Sequence, residues 1–247
     1  MTRISGHTLV ATPCCHALYS TPQYGSINLS AQAYWTDGRK EYSLMPVDGG
    51  LRNCKCGQFY LLHEATKLGF GAEPDTLPTQ RVVAADLADA TGSSSPTVEL
   101  VARREYWKCL NDPYRELYRA HREAEEAETQ RIWEAAHSDQ STWWQRFSNT
   151  KRVPKYVPSP NRPITYPKFE PSEQQRENML SLLRLLSGRD LRKRYAFEIS
   201  ELYRELGQFA QAALSLTNIR MEDEGFVGRL LVNLIEAGVS APVRYRL

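Results

Sequence analysis

Four of the five cysteines fall into two tight groups, Cys14-Cys15-His16 and Cys54-Lys55-Cys56-Gly57, and this pairing constrains the fold more than anything else in the sequence. A tetrahedral metal site takes four Cys or His donors, commonly from two short turns on facing hairpins. Neither group has the usual C-x-x-C spacing. Adjacent residues in an extended chain point to opposite sides, so Cys14 and Cys15 can face one ion only if the backbone turns sharply there, and Pro13 hints at such a turn. The reading preferred here is a structural zinc held by Cys14, Cys15, Cys54 and Cys56, with His16 as an alternative donor for one of the first two. The competing readings are a degenerate site without metal, or buried thiols packed as small apolar side chains.

The residues between the groups support a zinc-ribbon-like β region. Ser26 to Trp35 and Lys40 to Leu44 are rich in strand formers, and Asp37-Gly38 between them is a strong hairpin signal because both turn positions must accept positive φ. Asp48-Gly49-Gly50 is a second turn. Gln58 to Leu62 reads as a closing strand after the second cysteine pair. About 60 residues make a meagre core, so a metal staple has a physical purpose, with about 10–16 kcal/mol of binding energy acting as folding energy.

Downstream the pattern changes to helices. A loop-rich connection with one short element at Val82 to Ala90 leads to a helix after Pro96, with Val98, Val101, Tyr106 and Leu110 near one face. Asn111-Asp112-Pro113 caps a second helix running to about His137, whose centre, Arg122 to Arg131, is almost wholly polar and reads as a solvated surface. Pro171-Ser172-Glu173 opens another, with Met179, Leu182, Leu183 and Leu186 at helical spacing and Gly188 ending it. Helices over 191–206 and 209–219 place Ser200, Tyr203, Gly207, Ala212 and Leu216 at tetratricopeptide-like positions, in a single copy. A last helix covers Gly225 to Ala237, and the tail from Val243 either adds a strand or hangs free.

Between these helices, residues 139–168 carry Arg146, Lys151, Arg152, Lys155, Arg162 and Lys168 against the single acid Asp139, with aromatics and prolines interleaved. Basic and aromatic residues together suit single-stranded nucleic acid, and Arg146, Lys151, Arg152 and Lys155 are the candidates. The preferred reading is a proline-stiffened strap that lays its aromatics on the helices and leaves its charges in water.

The predicted fold class is α+β: a small N-terminal antiparallel β zinc-ribbon-like module, then an all-α bundle with one tetratricopeptide-like hairpin. The expected divisions are 1–75 for the β module, 76–96 for the connection, 97–138 for a helical hairpin, 139–171 for the strap and 172–247 for the tetratricopeptide-like region. With 31 Lys+Arg against 29 Asp+Glu, the net charge of +2 excludes an acidic solvating protein and a strongly basic nucleic-acid coat. No segment approaches the about 20 apolar residues of a membrane span, and no secretory signal is evident. The expectation is cytoplasmic residence, where thiols stay reduced and bind metal.

The cysteine groups around Tyr34-Trp35-Thr36-Asp37-Gly38, the segment from Glu105 to Arg115, and the single tetratricopeptide-like hairpin together resemble a family of uncharacterised bacterial proteins. The resemblance implies a zinc ribbon followed by helices and carries no activity, substrate or partner. No phosphate-binding loop, dinucleotide fingerprint, serine-hydrolase elbow or H-E-x-x-H motif occurs. The expected function is therefore a non-catalytic interaction or adaptor protein that binds another protein. The alternative is a nucleic-acid-binding protein, and an unrecognised enzyme comes third.

Overall fold

The computed structural model describes residues 3–26, 31–42, 49–71, 76–137, 155–158, 165–217 and 225–246. They show antiparallel β sheets followed by a helical region, an α+β fold. Residues 1–111 and 170–247 form one compact unit, and residues 112–169 form a second.

In the first unit, β1 (Arg3–Ala11) pairs antiparallel with β2 (Leu18–Ser26), setting Val10 opposite Tyr19. β3 (Ala31–Trp35) and β4 (Lys40–Tyr42) form the hairpin that Asp37-Gly38 announced. Gly38 takes φ +81°, and Trp35 N–H donates to Arg39 O at 2.8 Å. β5 (Leu51–Asn53) pairs with β6 (Phe59–Leu61) around the second cysteine group. β1 and β2 were not anticipated from the sequence, nor were β7 (Thr66–Phe70) and β8 (Gln80–Arg81). β7 joins the far edge of β1, with all five residues exposed. β8 joins β5, and β9 (Arg244–Tyr245) joins β3. The tail therefore adds a strand, with the Tyr245 ring stacked on Tyr34 at 5.6 Å between centroids.

The helices of this unit are α1 (Leu87–Ala90), α2 (Pro96–Leu110), α4 (Glu173–Leu186), α5 (Arg189–Arg194), α6 (Ala196–Glu205), α7 (Phe209–Leu216) and α8 (Gly225–Glu236). The α4 start is a capping box: Ser172 Oγ accepts from Gln175 N–H at 3.2 Å while Gln175 Oε1 accepts from Ser172 N–H at 2.7 Å, which satisfies donors that a helix start leaves orphaned. Trp107, Met179, Leu182, Leu186 and Leu202 form its apolar core. The helix expected over 191–206 is broken at Tyr195, at φ −114° and ψ 25°, and the Tyr195 ring packs against this core. The α6–α7 hairpin is tight because Ser200 and Ala212 are small. Ser200 Oγ donates to Ala212 O at 3.0 Å, and Gly207 turns the chain at φ +74°.

The β region shares its interior with the helices. Leu51 and Leu61 cluster with Leu87, Ala90, Val98 and Ala102. Gly49, at φ +59°, lies so close to α2 that a Cβ there would stand 3.1 Å from Val101 Cγ1.

The second unit is built on α3 (Asp112–Ala136). The strap's described residues turn their rings onto it. Phe169 meets Tyr114 edge-on at 5.1 Å, Tyr166 stacks with Tyr118 at 6.3 Å, and Tyr156 lies 5.9 Å from Trp133. The polar centre of α3 carries the pairs Arg122–Glu125 at 2.6 Å and Arg131–Glu128 at 2.7 Å, spaced i,i+3.

Candidate metal centre

The first cysteine group is the turn between β1 and β2. Thr12 N–H donates to Ala17 O at 3.0 Å and His16 N–H to Thr12 O at 3.1 Å. His16 adopts φ +56°, the one non-glycine left-handed residue among those described. This is the sharp bend that the adjacent pair demanded. The second group closes β5 onto β6 in the same manner. Cys54 N–H donates to Gln58 O at 2.9 Å, Gly57 N–H donates to Cys54 O at 2.8 Å, and Gly57 takes φ +83°. A left-handed residue ends each turn. Glycine adopts that conformation freely, whereas histidine accepts some steric cost.

The two turns face each other. The sulfurs of Cys14, Cys15, Cys54 and Cys56 all lie within 4.8 Å of one another, and this grouping contains no histidine nitrogen. Cys14 and Cys56 Sγ are 3.5 Å apart, as are Cys15 and Cys54 Sγ. Four thiolates about 2.3 Å from a central ion would stand about 3.8 Å apart at tetrahedral angles. The donor set therefore fits a metal ion held by these four residues. Cys54 is buried, whereas Cys15 and Cys56 are exposed.

The electrostatics of the cluster are uneven. Burial pushes the Cys54 thiol up, but hydrogen bonds from the Cys56 backbone, the Thr12 hydroxyl and the Cys14 and Cys15 thiols outweigh it and bring Cys54 down to about 6. Burial, with the hydrogen bonds and charge of its sulfur neighbours, pushes Cys14 up to about 12 despite an opposing bond from Thr12. Within the cluster, Cys54 thus favours the thiolate and Cys14 the thiol.

Sequence reasoning missed two supporting residues. Thr12 is fully buried, and its Oγ1 lies 3.7 Å from both Cys15 and Cys54 Sγ while accepting from Ala17 N–H at 3.1 Å. Its signal was present, since Thr12 stands three residues before Cys15, where a C-x-x-C turn would place its first cysteine. Tyr19 Oη accepts from Lys55 N–H at 2.8 Å and lies 4.0 Å from Cys54 Sγ. It fastens the second turn to β2, and nothing in the local sequence marks it.

The remaining candidates lie elsewhere. Arg146, Lys151 and Arg152 fall outside the described residues. Lys155 is described and exposed, beside the Tyr156 that packs on α3. Cys109 packs against the Leu51–Leu61 cluster on α2, away from the other thiols.

A small N-terminal β region bearing the cysteine cluster and a helical C-terminal region are what the structure shares with the resembled family pattern. No family model matches the chain, and neither any curated protein nor any solved structure does so.

Proposed function

We propose that this chain is a non-catalytic interaction protein whose β region is pinned by one structural zinc ion on Cys14, Cys15, Cys54 and Cys56. The observation that carries the reading is the convergence of four sulfurs from two facing turns to within 4.8 Å. An all-sulfur tetrahedral set favours zinc among the divalent ions. A closed four-thiolate site leaves no coordination position for substrate or water, so its role is structural. The bound ion would hold the β1–β2 turn against the β5–β6 turn.

The interaction half of the reading draws on strand β7. Among the described residues it is an outer strand of its sheet, and it exposes Leu68 and Phe70, the latter 85 % accessible. An outer strand with large apolar side chains suits pairing with another chain. The nucleic-acid reading is less favoured, because Tyr156 and Tyr166 are engaged with α3 and do not offer open stacking platforms.

Metal analysis of the purified chain tests the first half. One zinc per chain is expected, as are the strong visible bands of a tetrahedral cobalt–thiolate site after exchange, both lost in Cys54→Ser. A wild-type chain that takes up neither ion overturns it. Recovery of partners with the wild type and with a Leu68→Lys/Phe70→Lys variant tests the second half. A partner held equally by both chains removes β7 from the reading.

A further inference from the structure

A concavity lies far from the cysteines in sequence. Helices α4, α5, α6 and α7 enclose a cavity of about 610 Å³. Its apolar lining comes from Leu183 of α4, Ala196 and Ile199 of α6 and Leu214 of α7. Polar groups of Ser187, Tyr203, Gln211 and Ser215 lie among them. Leu214 is 67 % exposed on this lining and offers an apolar surface to a ligand. Arg192 and Lys193 of α5 stand together on the lining, both exposed. The rest of the lining is neutral, and no described carboxylate takes part in it. Neither cation makes a side-chain ion pair among the described residues.

The volume falls within the about 300–1,000 Å³ typical of small-molecule sites. An apolar slot beside two exposed cations is complementary to a ligand with a hydrocarbon portion and a negative headgroup. A neutral lipid would leave the cations unanswered, and a cationic amphiphile would be repelled. We propose that this cavity binds a single-chain anionic amphiphile, of the chemical class of a medium-chain alkyl carboxylate, with the chain on Leu183, Ile199 and Leu214 and the headgroup at Arg192 and Lys193. The site shares no residue with the cysteine cluster and does not depend on the metal.

Titration calorimetry on the full chain tests this, with decanoate, decanol and decyltrimethylammonium below their aggregation concentrations as probes. Decanoate should bind at one site, about tenfold or more tighter than decanol, and the cationic probe should not bind. The exposed double variant Arg192→Ala/Lys193→Ala should weaken decanoate about tenfold and leave decanol unchanged. Leu214→Glu, also at an exposed position, should weaken both. Equal affinities for decanoate and decanol, no decanoate binding, or a double variant that binds decanoate like the wild type would each overturn the proposal.

Discussion

The Asn111 amide donates to the Asp37 carboxylate at 3.0 Å across 74 positions of sequence. Asp37 is the turn residue of the β3–β4 hairpin, and Asn111 ends α2, so one hydrogen bond joins the β region to the helical layer. The same Nδ2 approaches both oxygens of Glu205, at 3.1 and 3.2 Å, and Asn111 Oδ1 accepts from Gln175 Nε2 at 3.1 Å. Asp37 and Asn111 are fully buried, and Glu205 is nearly so. Replacing Asn111 by Ala would leave two buried carboxyl groups without this donor. The expected loss is about 2–4 kcal/mol, read from urea midpoints. A shift within experimental scatter would show that the amide is dispensable.

Glu205 gives a pH prediction. Burial, then the nearby charges of Glu201 and Asp37, push its carboxyl well above the ordinary 4.5, against the pull of the Trp107 indole N–H and the Arg204 guanidinium. The folded state therefore keeps a proton that the unfolded chain releases. The contribution of this group to stability is complete below the ordinary carboxylate range and declines as pH rises toward the folded-state value. Glu205→Gln removes that proton linkage while retaining an acceptor for Trp107, whose Nε1 donates to Glu205 Oε2 at 2.8 Å. Relative to the wild type, the variant should gain stability steadily from pH 4.5 upward in paired denaturation series. Parallel curves would mean that Glu205 titrates as an ordinary carboxyl.

For the cysteine cluster, metal binding should release protons. Cys54 sits near 6 and Cys14 near 12, so at pH 7 one sulfur is largely ionised. The Cys14 thiol proton at least should leave when zinc enters. Apparent affinity should fall as pH is lowered, because protons compete for the sulfurs. Indicator-dye measurement of proton release in weak buffer checks this. Zinc uptake without acidification would point to ligands other than these thiols.

Thr12→Val keeps the side-chain shape and deletes the hydroxyl next to Cys15 and Cys54. Groups that support metal ligands typically alter affinity 10–100-fold. About that weakening is expected in competition with a chelator, with far-ultraviolet dichroism unchanged. An unaltered affinity would reduce Thr12 to a turn residue.

Much of this architecture was legible in the residues. The α+β order, the Asp37-Gly38 turn, the Ser172 cap and the apolar stripe from Met179 to Leu186 all follow from local chemistry. The pairing of the two cysteine groups was expected from four thiols in two tight clusters, although neither group has C-x-x-C spacing and adjacent side chains diverge in an extended chain. What the sequence concealed was long-range. β7 has no buried face and hence no alternating pattern to read, and β9 is only two residues long. Asn111 resembles a cap residue but spends its side chain on Asp37, Glu205 and Gln175. The buried pair Arg204–Glu201, both fully inaccessible, looks in sequence like any surface i,i+3 pair. Its partners are unreadable locally, since Arg204 also reaches Thr36 Oγ1 at 3.3 Å and the carbonyl of Val239.

The pairing of β9 with β3 imposes an order of events during synthesis. Thr36 Oγ1 accepts from the Val243 N–H, a residue made 207 positions later. At translation speeds of roughly 5–20 residues per second, that gap is roughly 10–40 s. Throughout it, one side of β3 has no strand to pair with. A nascent chain must shield that segment until the tail emerges, and tail-truncated products should be preferred clients of chaperones and proteases.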